Sequence, residues 1–168
     1  MTCHGAAARV LVALGLAGCG IVAGRNAKFE AVWTGSDRGR LVASATATWC
    51  GDAKIAQITA MRGDSGISVL IHPAESLVVG RYPIVEPGSA RASTPTAALA
   101  LRLLGSTSVV GYRSDSGTLT LEKVERGRVW GRFESQAKVA TALAGKIIQL
   151  NGRFAGVPVT AGGASCPP

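Results

Sequence analysis

From Phe29 onward the apolar and polar positions alternate with a period of two. Leu41, Ala43, Ala45, Ala47 and Trp49 alternate with Val42, Ser44, Thr46, Thr48 and Cys50, which predicts one half-buried strand over residues 41–50. Residues 55–61 and 67–72 predict two more strands, and Arg62-Gly63-Asp64-Ser65-Gly66 between them carries the turn chemistry of a hairpin. Residues 77–85 are strand-like, but Pro83 confines them to an edge or an irregular position. Residues 89–95, rich in Ser, Thr and Pro, read as a loop. Alanine and leucine over 97–104 favour helix by propensity. The segment is short, however, and Leu99, Leu101 and Leu103 alternate with smaller or charged neighbours, so a strand is expected. Strands over 109–113, 118–124, 129–135 and 146–154 complete the set. Turns are expected at Asp115-Ser116-Gly117 and Glu125-Arg126-Gly127, and one short helix has room within 135–144. The expected fold class is all-β: an antiparallel β sandwich or small barrel with at most one short helix.

The N-terminus follows a different pattern. Arg9 precedes a short apolar run over residues 10–17, which ends in Leu16-Ala17-Gly18-Cys19. A charged start, an apolar middle and small residues at a cut site mark a secretory signal. The run is well short of the about 20 apolar residues that a transmembrane helix needs. An ordinary export signal cut after Ala23 is the alternative. The cysteine after Leu-Ala-Gly resembles the lipobox of bacterial lipoprotein signals. That resemblance implies lipidation at Cys19 and a mature chain anchored outside the cytoplasm, in the inner or the outer membrane. The expected organisation is a signal peptide over 1–18, a tether over 19–28 and one β domain over 29–168.

Removal of residues 1–18 leaves 150 of the 168 residues, enough for one domain with a real core. Only Arg9 among the charges is lost, so the formal charge falls from +8 to +7. Behind an export signal such an excess points to anionic lipid headgroups, cell-wall polymers or an acidic protein partner, and away from nucleic acid. A basic surface that serves only solubility is the plainer reading. Arg25 and Lys28 lie where they can touch headgroups, each worth about 1 kcal/mol near a charged leaflet. Cys3 leaves with the signal and Cys19 takes the lipid. Cys50 and Cys166 remain, and in an oxidising compartment they are expected to pair; without such a pathway they stay reduced.

The last third of the chain carries a second resemblance. Gly117-Thr118-Leu119-Thr120-Leu121, Gly127-Arg128-Val129-Trp130-Gly131-Arg132-Phe133, and Leu150-Asn151-Gly152-Arg153-Phe154 with Val157-Pro158-Val159 resemble a pattern of small envelope lipoproteins of unknown function. The resemblance implies an all-β domain and no activity. Period two agrees. Val129, Gly131 and Phe133 share a face that Leu119 and Leu121 can meet, and Ile148, Leu150, Gly152 and Phe154 share another.

Little in the mature chain suggests catalysis. His72, before Pro73, is its one histidine and reads as a surface or capping residue; no second histidine or thiol cluster completes a zinc site. A dispersed Ser–His–acid triad leaves no local signature, but the G-x-S-x-G elbow is missing. Asp52, Asp64 and Asp115 sit in turn-like settings. Arg62-Gly63-Asp64 spells an adhesion tripeptide, yet it is also ordinary hairpin chemistry. No cofactor, metal or enzymatic activity is expected.

Two binding surfaces remain. Arg128, Trp130 and Arg132 alternate with core residues and so face outward together. Gln149, Asn151 and Arg153 share the corresponding face of the last strand if the two strands pair in register. An exposed tryptophan between arginines can hold an anionic or ring-bearing ligand; otherwise it covers the arginine stems on a solvated face. The second surface is internal. The small stripe Ala43, Ala45 and Ala47 either lets two layers approach closely or leaves a barrel cavity for an apolar ligand. The function expected is a lipid-anchored, non-enzymatic binding or scaffolding domain of the cell envelope, the alternative a lipocalin-like carrier.

Overall fold

The computed structural model describes residues 27–89, 94–105, 108–140, 145–162 and 166. The expected signal, the expected lipidation site Cys19 and nearly all of the expected tether lie outside them. Ten strands follow in order: β1 (Lys28–Gly35), β2 (Gly39–Ala43), β3 (Ala45–Cys50), β4 (Ile55–Arg62), β5 (Ser65–His72), β6 (Gly80–Ile84), β7 (Thr96–Leu104), β8 (Val109–Glu125), β9 (Arg128–Val139) and β10 (Ile147–Ala161). The first strand thus starts at the last residue of the expected tether.

The strands form one sheet that closes on itself. β10 pairs with β1 and β9 along its first part, then bulges at Ala155–Gly156 and ends parallel to β3. From β3 the ring runs through β4, β5, β7, β8 and β9 back to β10. Pairing is antiparallel except for β10–β3 and the single β6–β7 bridge. Closure removes most edges, the usual hazard of an all-β chain.

Turn chemistry explains the tight hairpins. Gly63 (φ 59°) opens the two-residue loop between β4 and β5, the role glycine has in a type II′ hairpin. The Arg-Gly-Asp sequence is therefore part of a hairpin. Arg126 (φ 50°) and Gly127 (φ 68°) form the double left-handed turn that joins β8 to β9.

Three local expectations are corrected. Residues 41–50 are not one strand. The chain breaks at exposed Ser44, so that β2 pairs with β1 while β3 pairs with β4 and β10. Asp115-Ser116-Gly117 is not a turn. β8 runs through it for 17 residues, with a bulge between Ser114 and Ser116 and a bend at Gly117 (φ 138°). The bend carries β8 from its partner β7 to its partner β6. The helix offered at 135–144 does not form over 135–139, which continue β9; Ser135 and Ala137 turn inward against β8 and β10. Residues 141–144 lie outside the described part. Residues 97–104 are the expected strand, whereas 77–79 precede β6 without joining it.

The interior is packed with aromatic and aliphatic side chains. The three phenylalanines of the chain meet there: Phe29 lies 5.9 Å from Phe133 and 6.3 Å from Phe154, centroid to centroid. Two inward glycines make room for them. Phe154 pairs across from Gly131, Phe133 across from Gly152, and each ring covers the glycine. A Cβ on Gly152 would sit against the Phe133 ring and 2.7 Å from the Glu30 carbonyl oxygen. Trp33 lies over Gly39 in the same way. Ala45 and Ala47 face inward and are buried, the close-packed outcome of the alanine stripe.

Buried polar groups mark the places where the ring bends. Ser114 accepts a hydrogen bond from the Leu99 amide (2.9 Å) and donates one to the Val85 carbonyl (2.9 Å). One hydroxyl thus stitches together β6 and β7, which share only one bridge. The Tyr112 ring is buried while its hydroxyl donates to Asp37 in the β1–β2 loop, tying β8 to that end of the ring. Cys50 and Cys166 form a disulfide with Cα atoms 5.7 Å apart, joining the C-terminal segment to the end of β3.

Candidate functional site

The outer face of β8, β9, β10 and β1 holds the six residues singled out by period two. Val129 and Phe133 are buried, and Arg128, Trp130 and Arg132 lie on the opposite face, as expected. Gln149, Asn151 and Arg153 are exposed on the same outer surface. The six do not form one patch. β10 runs antiparallel to β9, so only Arg153 stands opposite Arg132. Asn151 stands opposite Glu134, and Gln149 opposite Gln136, farther from Trp130 at each step.

Trp130 belongs to a different neighbourhood. Lys123 on β8 places its Nζ 5.2 Å from the centre of the Trp130 ring. Arg128 turns towards the β10 bulge and donates to the Gly156 carbonyl at 2.7 Å. The half-buried indole thus has the Lys123 ammonium against its ring, while Arg128 is turned to the β10 bulge.

The remaining residues form a cross-strand ladder of charge. Arg132 pairs with Glu122, and Arg153 donates twice to Glu30, from Nε at 3.2 Å and Nη2 at 2.9 Å. Arg40 lies 4.0 Å from the same carboxylate. Each of the two facing arginines therefore carries its own acidic partner on the side away from the other. Two clefts flank this ladder. One, of about 360 Å³, is lined by Glu30, Val32, Arg132, Glu134, Asn151 and Arg153. The other, of about 310 Å³, lies over Arg81, Thr118, Thr120, Arg132 and Glu134. Arg132 and Glu134 are common to both. The arrangement offers donors, acceptors and both charges to a polar ligand. An anionic ligand at the arginines has to displace Glu122 or Glu30.

Glu134, Glu30 and Arg81 were not singled out by sequence. Glu134 continues the outward period from Arg132 and was within reach. Glu30 and Arg81 arrive through pairing with distant strands, which leaves no local signal. His72 lies elsewhere, half-buried at the end of β5, and burial lowers its pKa. The clefts at the ladder are open to solvent on the outer face, while the barrel interior behind them is filled by Phe29, Phe133, Phe154 and their neighbours.

No family model matches the chain, and no curated protein or solved structure matches it.

Proposed function

We propose that this chain is a lipid-anchored, extracytoplasmic lipoprotein whose β domain binds a partner on its outer surface and performs no catalysis. The observation that carries the reading is the Cys50–Cys166 pair. Disulfides of this kind belong to oxidising compartments, and the Leu16-Ala17-Gly18-Cys19 site supplies a route there. The packed interior favours a binding module over a lipocalin-like carrier, since a carrier needs an apolar cavity of several hundred Å³. Candidate partners are an anionic envelope component or an acidic protein, and the ladder at Arg132 and Arg153 is the polar surface offered to them.

Mass spectrometry of the mature N-terminal peptide tests the anchor. An acylated Cys19, lost in Cys19→Ser together with membrane retention, supports it. An unmodified mature N-terminus at Gly24 overturns it and leaves a freely secreted domain.

A further inference from the structure

The opposite outer face, across β4, β5, β7 and β8, presents arginines in another setting. Register places Met61, Gly66, Arg102 and Gly111 in one cross-strand row, and Thr59, Ser68, Ala100 and Arg113 in the next. Arg102 and Arg113 are therefore diagonal neighbours, with Gly111 and Ala100 on the other diagonal. These two small residues leave the guanidinium groups open to one another's ligand. A groove of about 400 Å³ runs over this checkerboard and is lined mainly by apolar groups, with Met61, Gly66, Ala100 and Val109 among them.

Neither arginine has a carboxylate within ion-pairing distance among the described residues. The ion pairs of the domain engage Glu30, Glu86, Asp115, Glu122 and Glu125 with other bases. Asp37 is taken by the Tyr112 hydroxyl. Lys138, directly across from Arg113, is the base that Asp115 and Glu86 serve. Two uncompensated arginines side by side form a site for a shared phosphate or carboxylate.

The rim of the same face is apolar. Leu104 and Val109 pair directly, one register row beyond Arg102, and are 48% and 51% exposed; Met61, in the row of Arg102, is 48% exposed. One register row is about 7 Å along a strand. Apolar tips followed at that depth by guanidinium groups match the order of a bilayer surface, with the acyl boundary beneath the phosphates. The loops at this rim and the end of β4 add Arg38, Lys146 and Arg62 against Asp37 and Asp64.

We propose that this face docks on an anionic phospholipid bilayer, with Leu104 and Val109 entering the interface and Arg102 and Arg113 sharing lipid phosphates. The inference deepens the reading of a membrane-anchored domain, and its test does not use the anchor. The full chain carrying Cys19→Ala, which cannot be acylated there, is sedimented with phosphatidylglycerol–phosphatidylcholine vesicles and with phosphatidylcholine alone. Binding to the anionic vesicles should weaken as salt rises. Arg102→Gln and Arg113→Gln should each lower it about fivefold, while Arg126→Gln, in the exposed β8–β9 turn at the other end of the ring, leaves it unchanged. Tryptophan fluorescence of Val109→Trp should shift to the blue on these vesicles, and that of Val124→Trp, at the other end of the ring, should not. Equal partitioning of the Arg102→Gln/Arg113→Gln variant and the parent overturns the inference. So does an unshifted Val109→Trp spectrum, or a requirement for the two arginines only in binding an acidic protein. Acylated Cys19 without arginine dependence sinks the docking face and keeps the anchor; arginine-dependent binding with unmodified Cys19 does the reverse.

Discussion

The two outer faces of the barrel use the same residue types to opposite ends. On the β8–β9–β10–β1 face, Arg132 and Arg153 are held by Glu122 and Glu30. On the β4–β5–β7–β8 face, Arg102 and Arg113 stand beside Gly111 and Ala100, and among the described residues neither has a carboxylate within ion-pairing distance. The glycines differ likewise. Gly131 and Gly152 point inward and are covered by phenylalanine rings, whereas Gly111 points outward, and a Cβ there would meet only Ala140 at 3.8 Å. Net charge and glycine content therefore say little about function until each residue has been given its cross-strand neighbour. The face that attracts attention in the sequence, with tryptophan between arginines, is the one whose charge is balanced. The face without an aromatic marker keeps its charge.

Substitutions in the core separate the faces most strongly. Phe133→Ala removes a buried ring seated on Gly152 and is expected to cost about 3–5 kcal/mol in denaturant unfolding, against under about 1 kcal/mol for the half-exposed Met61→Ala. Equal costs would mean that Met61 is part of the core, not of a free surface.

The glycine contrast comes next. Gly152→Ala must push back the Phe133 ring and the Glu30 backbone, at about 1–3 kcal/mol, while Gly111→Ala should stay within about 0.5 kcal/mol of the parent. Thermal melts of the two variants read this directly.

Tyr112 lies beneath the rim of the docking face and gives it a pH signature. Burial first, then the hydrogen bond and the charge of Asp37, push its pKa up to about 12. The unfolded chain loses this proton near pH 10. The folded chain holds more protons between these values, so stability is fully present below about pH 10 and falls as pH rises towards 12. Tyr112→Phe should flatten that decline and cost about 0.5–1.5 kcal/mol at neutral pH through the lost hydrogen bond to Asp37. Unfolding curves across the alkaline range, with tyrosinate absorbance, test both.

The smallest effects concern the surface charges. A double-mutant cycle on Glu30 and Arg153 should return under about 1 kcal/mol, shrinking with salt. Arg102→Gln and Arg113→Gln should leave stability unchanged or slightly raised, since they relieve repulsion that nothing offsets. A marked loss in either would reveal a partner for that arginine and erase the contrast.

Alternation along the chain was enough to determine that this is an all-β domain, which side of β9 and β10 faces the core, and where the Gly63 and Gly127 hairpins fall. Those features depend on residues two to four apart. The expectation that Cys3 leaves and Cys19 is lipidated pointed to Cys50 with Cys166, the pair that the structure joins. Tertiary structure alone decided that Asp115-Ser116-Gly117 bulges within a continuous strand. The same three residues suit a turn, and the partner strands β9 and, at Gly117, β6 hold them extended. It alone decided that residues 41–50 break at Ser44, and that residues 135–139 extend β9 despite Gln136, Ala137 and Lys138. It also decided which arginines are neutralised. Glu30 reaches Arg153 across a separation of 123 residues, and Arg102 and Arg113 become neighbours only through the register of β7 on β8. Local pattern encodes which way a side chain faces; the company it keeps there is set by strand pairing, which is non-local.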